Sequence, residues 1–150
     1  MISEMLKLEN IQIIESAKDW KEAIHLSLEP LVNGGYVTEN YEAAIIKCTE
    51  EYGPYYVLAD DIALIHGRPV DGVLEKQLSI TVVRQPIQFM NDGQNVRVLI
   101  ALGASDANSH IDVMKVLSLL LMDESKIKEL AEATSEQQIY EMLTKAESNL

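Results

Sequence analysis

Two of the three histidines in the chain stand where a side chain is placed to react. His66 follows the apolar run Ile62-Ala63-Leu64-Ile65, and Gly67-Arg68-Pro69 comes directly after it. A buried strand that ends on a histidine and breaks into such a turn delivers one nucleophile to its own carboxyl end. His110 comes after Gly103-Ala104-Ser105-Asp106, the segment that closes a second apolar strand, and it lies in the first turn of a helix. Ligands of open α/β sheets collect outside the carboxyl ends of strands. The two histidines therefore share one side of the sheet, provided that their strands are parallel and adjacent.

A neutral imidazole is a good nucleophile near neutral pH: one nitrogen attacks while a hydrogen bond holds the other. Phosphoryl transfer to it leaves a product with close to two negative charges. The start of the His110 helix, capped by Ser109 or Asn108, offers free backbone N–H groups and a positive dipole end to that anion. Arg68 adds a charge-assisted bond, and His110 a further one. Such transfer needs mainly positioning and charge stabilisation from the protein. The alternatives are plain: a strand-end histidine that only packs, a solvated arginine, or a metal held by His66, His110 and one of Asp60, Asp61 and Asp106. No HxH or HxxxH pair, phosphate loop, GxSxG elbow or CxxC motif occurs.

The elements that must hold these residues follow from periodicity. A short strand is expected over 11–14, then a helix from Ser16 or Asp19 that stops at Asn33-Gly34-Gly35. Thr38 caps a second helix, which ends before Gly53-Pro54 and makes an αα-hairpin with the first. Strands are expected over 55–58, 62–65, 77–83, 86–89 and 96–102, with turns at Asp60-Asp61 and Asn91-Asp92-Gly93. Three helices close the chain. The first carries an apolar stripe of Ile111, Met114, Leu117 and Leu121, widened by Val113, Val116 and Leu120. The second starts at Asp123 or Ser125, and the third at Ser135 with Gln138. The fold class is α/β: a single domain over residues 1–150, with a mixed sheet of about five strands and helices on both faces.

The formal charge of −12 disfavours nucleic acid and anionic membrane as partners. Nearly half the residues are apolar, at 47 %, which supports a packed core. A lone cysteine, Cys48, excludes a disulfide framework, fits a reducing cytoplasm and is expected in the core. Residues 1–10 alternate charge with single apolar side chains, unlike a signal peptide, and no run is long enough to insert in a membrane. His25, in mid-helix, is expected at or near the surface.

The run Ile62-Ala63-Leu64-Ile65-His66-Gly67-Arg68-Pro69, with Val70-Asp71-Gly72-Val73 behind it, resembles the active-site segment of enzyme IIA proteins of the phosphoenolpyruvate-dependent sugar phosphotransferase system, mannitol/fructose type. The segment Asp106-Ala107-Asn108-Ser109-His110-Ile111 is similar to the family's second histidine block, and Pro86-Ile87-Gln88-Phe89 sits where the family has a strand. The wording around 55–69 is most like the ascorbate branch. The resemblance implies a cytoplasmic phosphoryl carrier that needs no cofactor or metal. His66 would accept phosphate from the carrier HPr and pass it to a IIB protein or domain, which serves a membrane IIC component in the uptake of ascorbate or a related sugar. His110 would steady the phosphate, with Arg68, Ser109 and Asn108 also binding it. A regulatory module of the same fold, switched by phosphorylation, is the alternative; a metal-dependent hydrolase or small-ligand binder is a more distant one. Two departures from the family pattern stand out. Ile65 replaces the family's proline, and Cys48-Thr49-Glu50-Glu51 offers no counterpart to its upstream arginine. Arg68 is expected to supply that charge, with Glu50 and Glu51 pointing away.

Overall fold

Strand β3 (Asp61–Ile65), which leads into His66, lies inside a five-stranded sheet of order β1-β4-β5-β3-β2. The computed structural model describes residues 2–90, 94–104 and 111–148, apart from the Asp112 side chain. The other strands are β1 (Leu6–Ile14), β2 (Val57–Ala59), β4 (Gln77–Gln88) and β5 (Asn95–Gly103). Pairing is parallel for β1 with β4 and for β3 with β5, and antiparallel for β4 with β5 and for β2 with β3. The sheet is therefore mixed. Ile65 pairs with Ala101, so the carboxyl ends of β3 and β5 are neighbours, as the two-histidine reading requires.

Helices cover both faces. Helices α1 (Trp20–Asn33) and α2 (Glu39–Tyr52) pack on one side, with Ile24, Leu28, Leu31, Tyr41 and Ile45 buried against Ala63, Ile65, Leu99 and Ala101. Helices α3 (Ile111–Leu121), α4 (Glu124–Ala131) and α5 (Glu136–Ser148) take the other side, against Ile62, Leu64, Ile80, Val98 and Ile100. Strand side chains alternate between faces, so a strand covered on both faces must be apolar at successive positions. That is why 62–65 reads as an unbroken apolar run. Each large aliphatic side chain buried this way stabilises the fold by about 2 kcal/mol.

Helix starts follow local chemistry. The Asp19 carboxylate accepts from the Glu22 N–H at 2.9 Å, and Asp123 accepts from the Ser125 N–H at 3.0 Å. Ser135 Oγ accepts from the Gln138 N–H at 3.2 Å. His25 is half-exposed, and its Nδ1 meets Glu42 Oε1 at 2.9 Å, tying α1 to α2.

Four expectations need correction. Strand β1 begins at Leu6, which pairs with Leu78, and regular pairing resumes only at Ile11; the charged, irregular stretch between them hides the start of the strand in the sequence. The runs 77–83 and 86–89 belong to one strand; Pro86 sits where the pairing register with β5 shifts, a place where a missing N–H is tolerated. Tyr55 and Tyr56 precede β2 and lie outside any strand. In α3 the buried residues are Val113, Val116, Leu117 and Leu120, while Ile111 is exposed. Met114 and Leu121 of the expected stripe pack against the core part-buried, and Ile111, at the first turn, lies at its edge. The expected turn 91–93 lies outside the described residues.

Asp61 enters β3 at φ 73°, and its carboxylate receives Nε and Nη2 of Arg97, both at 2.9 Å. The guanidinium holds the Asp61 carboxyl below the ordinary range. The stabilisation is complete above the ordinary carboxylate range and is lost as pH falls through the lowered folded-state value. Asp61→Asn, which keeps a residue tolerant of this backbone, should lose about 1 kcal/mol at pH 7. The deficit should vanish in acid, where both proteins carry a neutral side chain; parallel denaturant titrations at the two pH values check this.

Candidate functional site

His66 emerges from β3 half-buried, and its ring is held from behind. Nδ1 lies 2.6 Å from Leu64 O. A carbonyl can only accept, so Nδ1 carries the proton and Nε2 keeps its lone pair. Among the described residues no hydrogen-bond partner is seen for Nε2. The imidazole is thus set in the tautomer of a nucleophile.

Two tyrosines fix the backbone beneath it. The Tyr55 hydroxyl donates to His66 O at 2.6 Å, and the Gly67 N–H donates to the Tyr41 hydroxyl at 2.9 Å. Those two backbone groups belong to one peptide unit, which is therefore held at both ends. Tyr41 also donates to Leu102 O at 2.7 Å, bridging the ends of β3 and β5. Burial pushes the Tyr41 hydroxyl up to about 12 and raises that of Tyr55 as well, so both stay protonated donors at neutral pH. The Tyr55 ring stands edge-on to the imidazole, with centroids 5.6 Å apart. Gly67 approaches α2 so closely that a Cβ there would lie 3.0 Å from Ile45 Cγ1. These contacts hold the backbone after Ile65 at both ends of the His66–Gly67 peptide. Tyr55→Phe frees one end of this peptide and should cost about 1 kcal/mol of stability, which thermal unfolding measures.

A pocket of about 290 Å³ opens beside His66, walled by Ala44, Ile45, Cys48, Tyr55, Gly67, Arg68 and Asp71. Cys48 is therefore part of the pocket wall and only partly buried, where a core position was expected. Its helix α2 turns an apolar face both to the sheet and to this hollow. Arg68 also lines the pocket, with Nε and Nη2 on the Asp71 carboxylate at 3.1 and 3.0 Å. Glu50 lies outside the pocket wall and pairs with Lys21 at 3.4 Å. Glu51 is outside that wall but lines an adjoining hollow that Ala44, Cys48, Arg68 and Asp71 also line, so it shares a hollow with Arg68 where a position away from the site was expected. His110, Ser109, Asn108 and Asp106 fall outside the described residues. Of the metal set considered, Asp61 is engaged by Arg97. Among the described residues no cluster of three or more His, Cys, Asp or Glu has metal-binding geometry.

The description "Phosphoenolpyruvate-dependent sugar phosphotransferase system, EIIA 2" belongs to the family model that matches residues 4–146. The chain belongs to that family. EIIA components are phosphotransferase-system proteins that carry phosphate on a histidine. The mannitol-specific cryptic phosphotransferase enzyme IIA component of Escherichia coli (strain K12) is 38 % identical over 144 residues, covering 96 % of this chain and 98 % of that protein. The ascorbate-specific EIIA component of the same strain is 31 % identical over 137 residues, covering 89 % and 88 %. The likeness thus reaches relatives named for both compounds, with the higher identity to the mannitol protein. The solution structure of the cryptic mannitol enzyme IIA superposes with a TM-score of 0.89 at 38 % identity, covering 96 % of this chain and 98 % of that one. Enzyme IIA of mannitol from Escherichia coli, solved in complex with phosphorylated enzyme IIB, gives 0.78 at 32 % identity, covering 94 % and 99 %. Among the described residues no helix of this EIIA chain is long and apolar enough to cross a membrane.

Proposed function

We propose that Nε2 of His66 is the phosphoryl acceptor of this EIIA component. The observation that carries the reading is the Nδ1–H bond to Leu64 O, which leaves Nε2 as the free lone pair beside the pocket. The donor is the phosphohistidine of HPr. The Nε2 lone pair forms the new P–N bond as the donor's P–N bond breaks, and the donor nitrogen keeps that electron pair. The phosphoryl group then passes to a IIB protein or domain, which serves a membrane IIC component. The structure of a relative bound to phosphorylated IIB supports that partner class.

Arg68 is the cation of the pocket wall, and it meets the charge of the phosphorylated ring. His110, with Asn108 and Ser109 at the start of its helix, completes the anion site. Residues 1–150 work as one domain, in the cytoplasm where the phosphoryl donor is made. The transport system it serves takes up a polyol such as mannitol or a sugar acid such as ascorbate, the two classes for which its relatives are named.

Incubation with phosphoenolpyruvate, enzyme I and HPr should add one acid-labile phosphate that maps to His66. Absence of label with an active HPr would refute the reading. Transfer from the labelled protein to purified IIB domains of mannitol and of ascorbate systems then separates the cargo classes, since the cognate domain discharges it faster.

A further inference from the structure

Asp71 faces the one group in the pocket wall best suited to hold a phosphate, and it already holds that group's fork. The carboxylate takes Nε and Nη2 of Arg68 across the 3-10 turn Pro69–Asp71. The partners are unequally anchored. The Asp71 side chain is 16 % exposed, its N–H donates to Arg68 O at 3.0 Å, and its carbonyl accepts from Asn40 Nδ2 at 2.8 Å. The Arg68 side chain is 76 % exposed. The fixed member is the acid and the movable member is the base.

We propose that Asp71 is a positioning residue that parks Arg68 while His66 is unphosphorylated and yields it when phosphate arrives. The inference rests on the reading of His66 as the acceptor. A guanidinium fork fits carboxylate and phosphate oxygens with the same geometry, so the exchange replaces one bidentate pair with another. An ion pair with one largely solvated partner is weak, so little opposes its release. The phosphoryl group carries close to two charges and binds the fork more strongly than a single carboxylate does. Asp71 remains in the same pocket wall, where its charge repels the phosphate. Both effects of Asp71, competition for Arg68 and repulsion, make phospho-His66 less stable than the pocket would otherwise make it. A carrier has to give its phosphoryl group away again, and this carboxylate keeps the group from settling too deeply.

The test is the equilibrium between phosphorylated HPr and the full chain, read as the ratio of the two phosphoproteins. Asp71→Asn should shift that ratio toward the EIIA chain about three- to tenfold, the range set by one weak pair and one screened repulsion. In an Arg68→Met background the same change should have a smaller effect, because the competition is gone and only the repulsion remains. An unchanged or reversed ratio in Asp71→Asn overturns the proposal, as does an equal shift with and without Arg68. A second readout uses the wild-type protein: the NMR signal of Arg68 Nε–H should move when His66 is phosphorylated, and a stationary signal also overturns it. Wild-type protein that takes label on His66 while either readout fails leaves the acceptor reading standing and removes this one. Wild-type protein that takes no label removes both.

Discussion

His66→Ala is expected to take up no phosphate from phosphorylated HPr, whereas His110→Ala should still be labelled, more slowly. The first effect is all-or-none because a carrier without its nucleophile has no atom on which to hold the group. The second is graded because His110 would contribute one of several bonds to the anion. Folding should change little in His66→Ala. The lost Nδ1–H bond to Leu64 O is worth about 1 kcal/mol. The buried residues Ile62 to Ile65, which pack β3 between the two helix layers, are untouched. Far-UV circular dichroism and the unfolding midpoint should therefore stay close to wild type while the label disappears. Label retained on His66→Ala would move the site elsewhere. His25 is the obvious rival, and its imidazole is already committed to Glu42 and Glu29 at 2.9 and 3.4 Å on the open surface.

The position of His66 was legible because its strand is buried on both faces, and only an unbroken apolar run satisfies two cores at once. Such a run ending in His-Gly-Arg-Pro has few structural readings. The parallel adjacency of β3 and β5 was a condition of the two-histidine argument, and the pairing of Ile65 with Ala101 meets it. The tyrosine brace was not legible. Tyr41 falls on the apolar stripe of α2 and reads as core, which it also is. Its hydroxyl matters through Leu102 and Gly67, residues far along the chain that only the fold brings to it. Tyr55 read as the start of a strand, because aromatic residues favour strands and nothing local distinguishes a residue that props up a neighbouring loop. Arg68 could be picked out as the available cation, but its engagement by Asp71 depends on the 3-10 turn between them.

That turn also depends on Gly72. Gly72 adopts φ 147°, a conformation that disfavours any side chain, and a Cβ there would lie 2.2 Å from Thr38 Oγ1 and 3.1 Å from both Cβ and N of Tyr41. Thr38 Oγ1 makes no capping hydrogen bond and can turn away, but the two backbones cannot retreat cheaply. The Thr38 N–H donates to Gly72 O at 2.9 Å, and Tyr41 is fully buried in the first turn of α2. Gly72→Ala should therefore cost roughly 2–5 kcal/mol, the sum of backbone strain and overpacking. The cost should reach the site as well, because the backbone it displaces carries the hydroxyl that holds the Gly67 N–H and bridges β3 to β5. Thermal unfolding and phosphoryl uptake should fall together in this variant. Thr38→Ala added to it removes the closest contact but leaves the backbone strain and the Tyr41 contacts, so it should restore part of both losses. Full restoration would mean that the Thr38 contact alone matters. No loss in Gly72→Ala itself would show that the start of α2 does not set the position of His66.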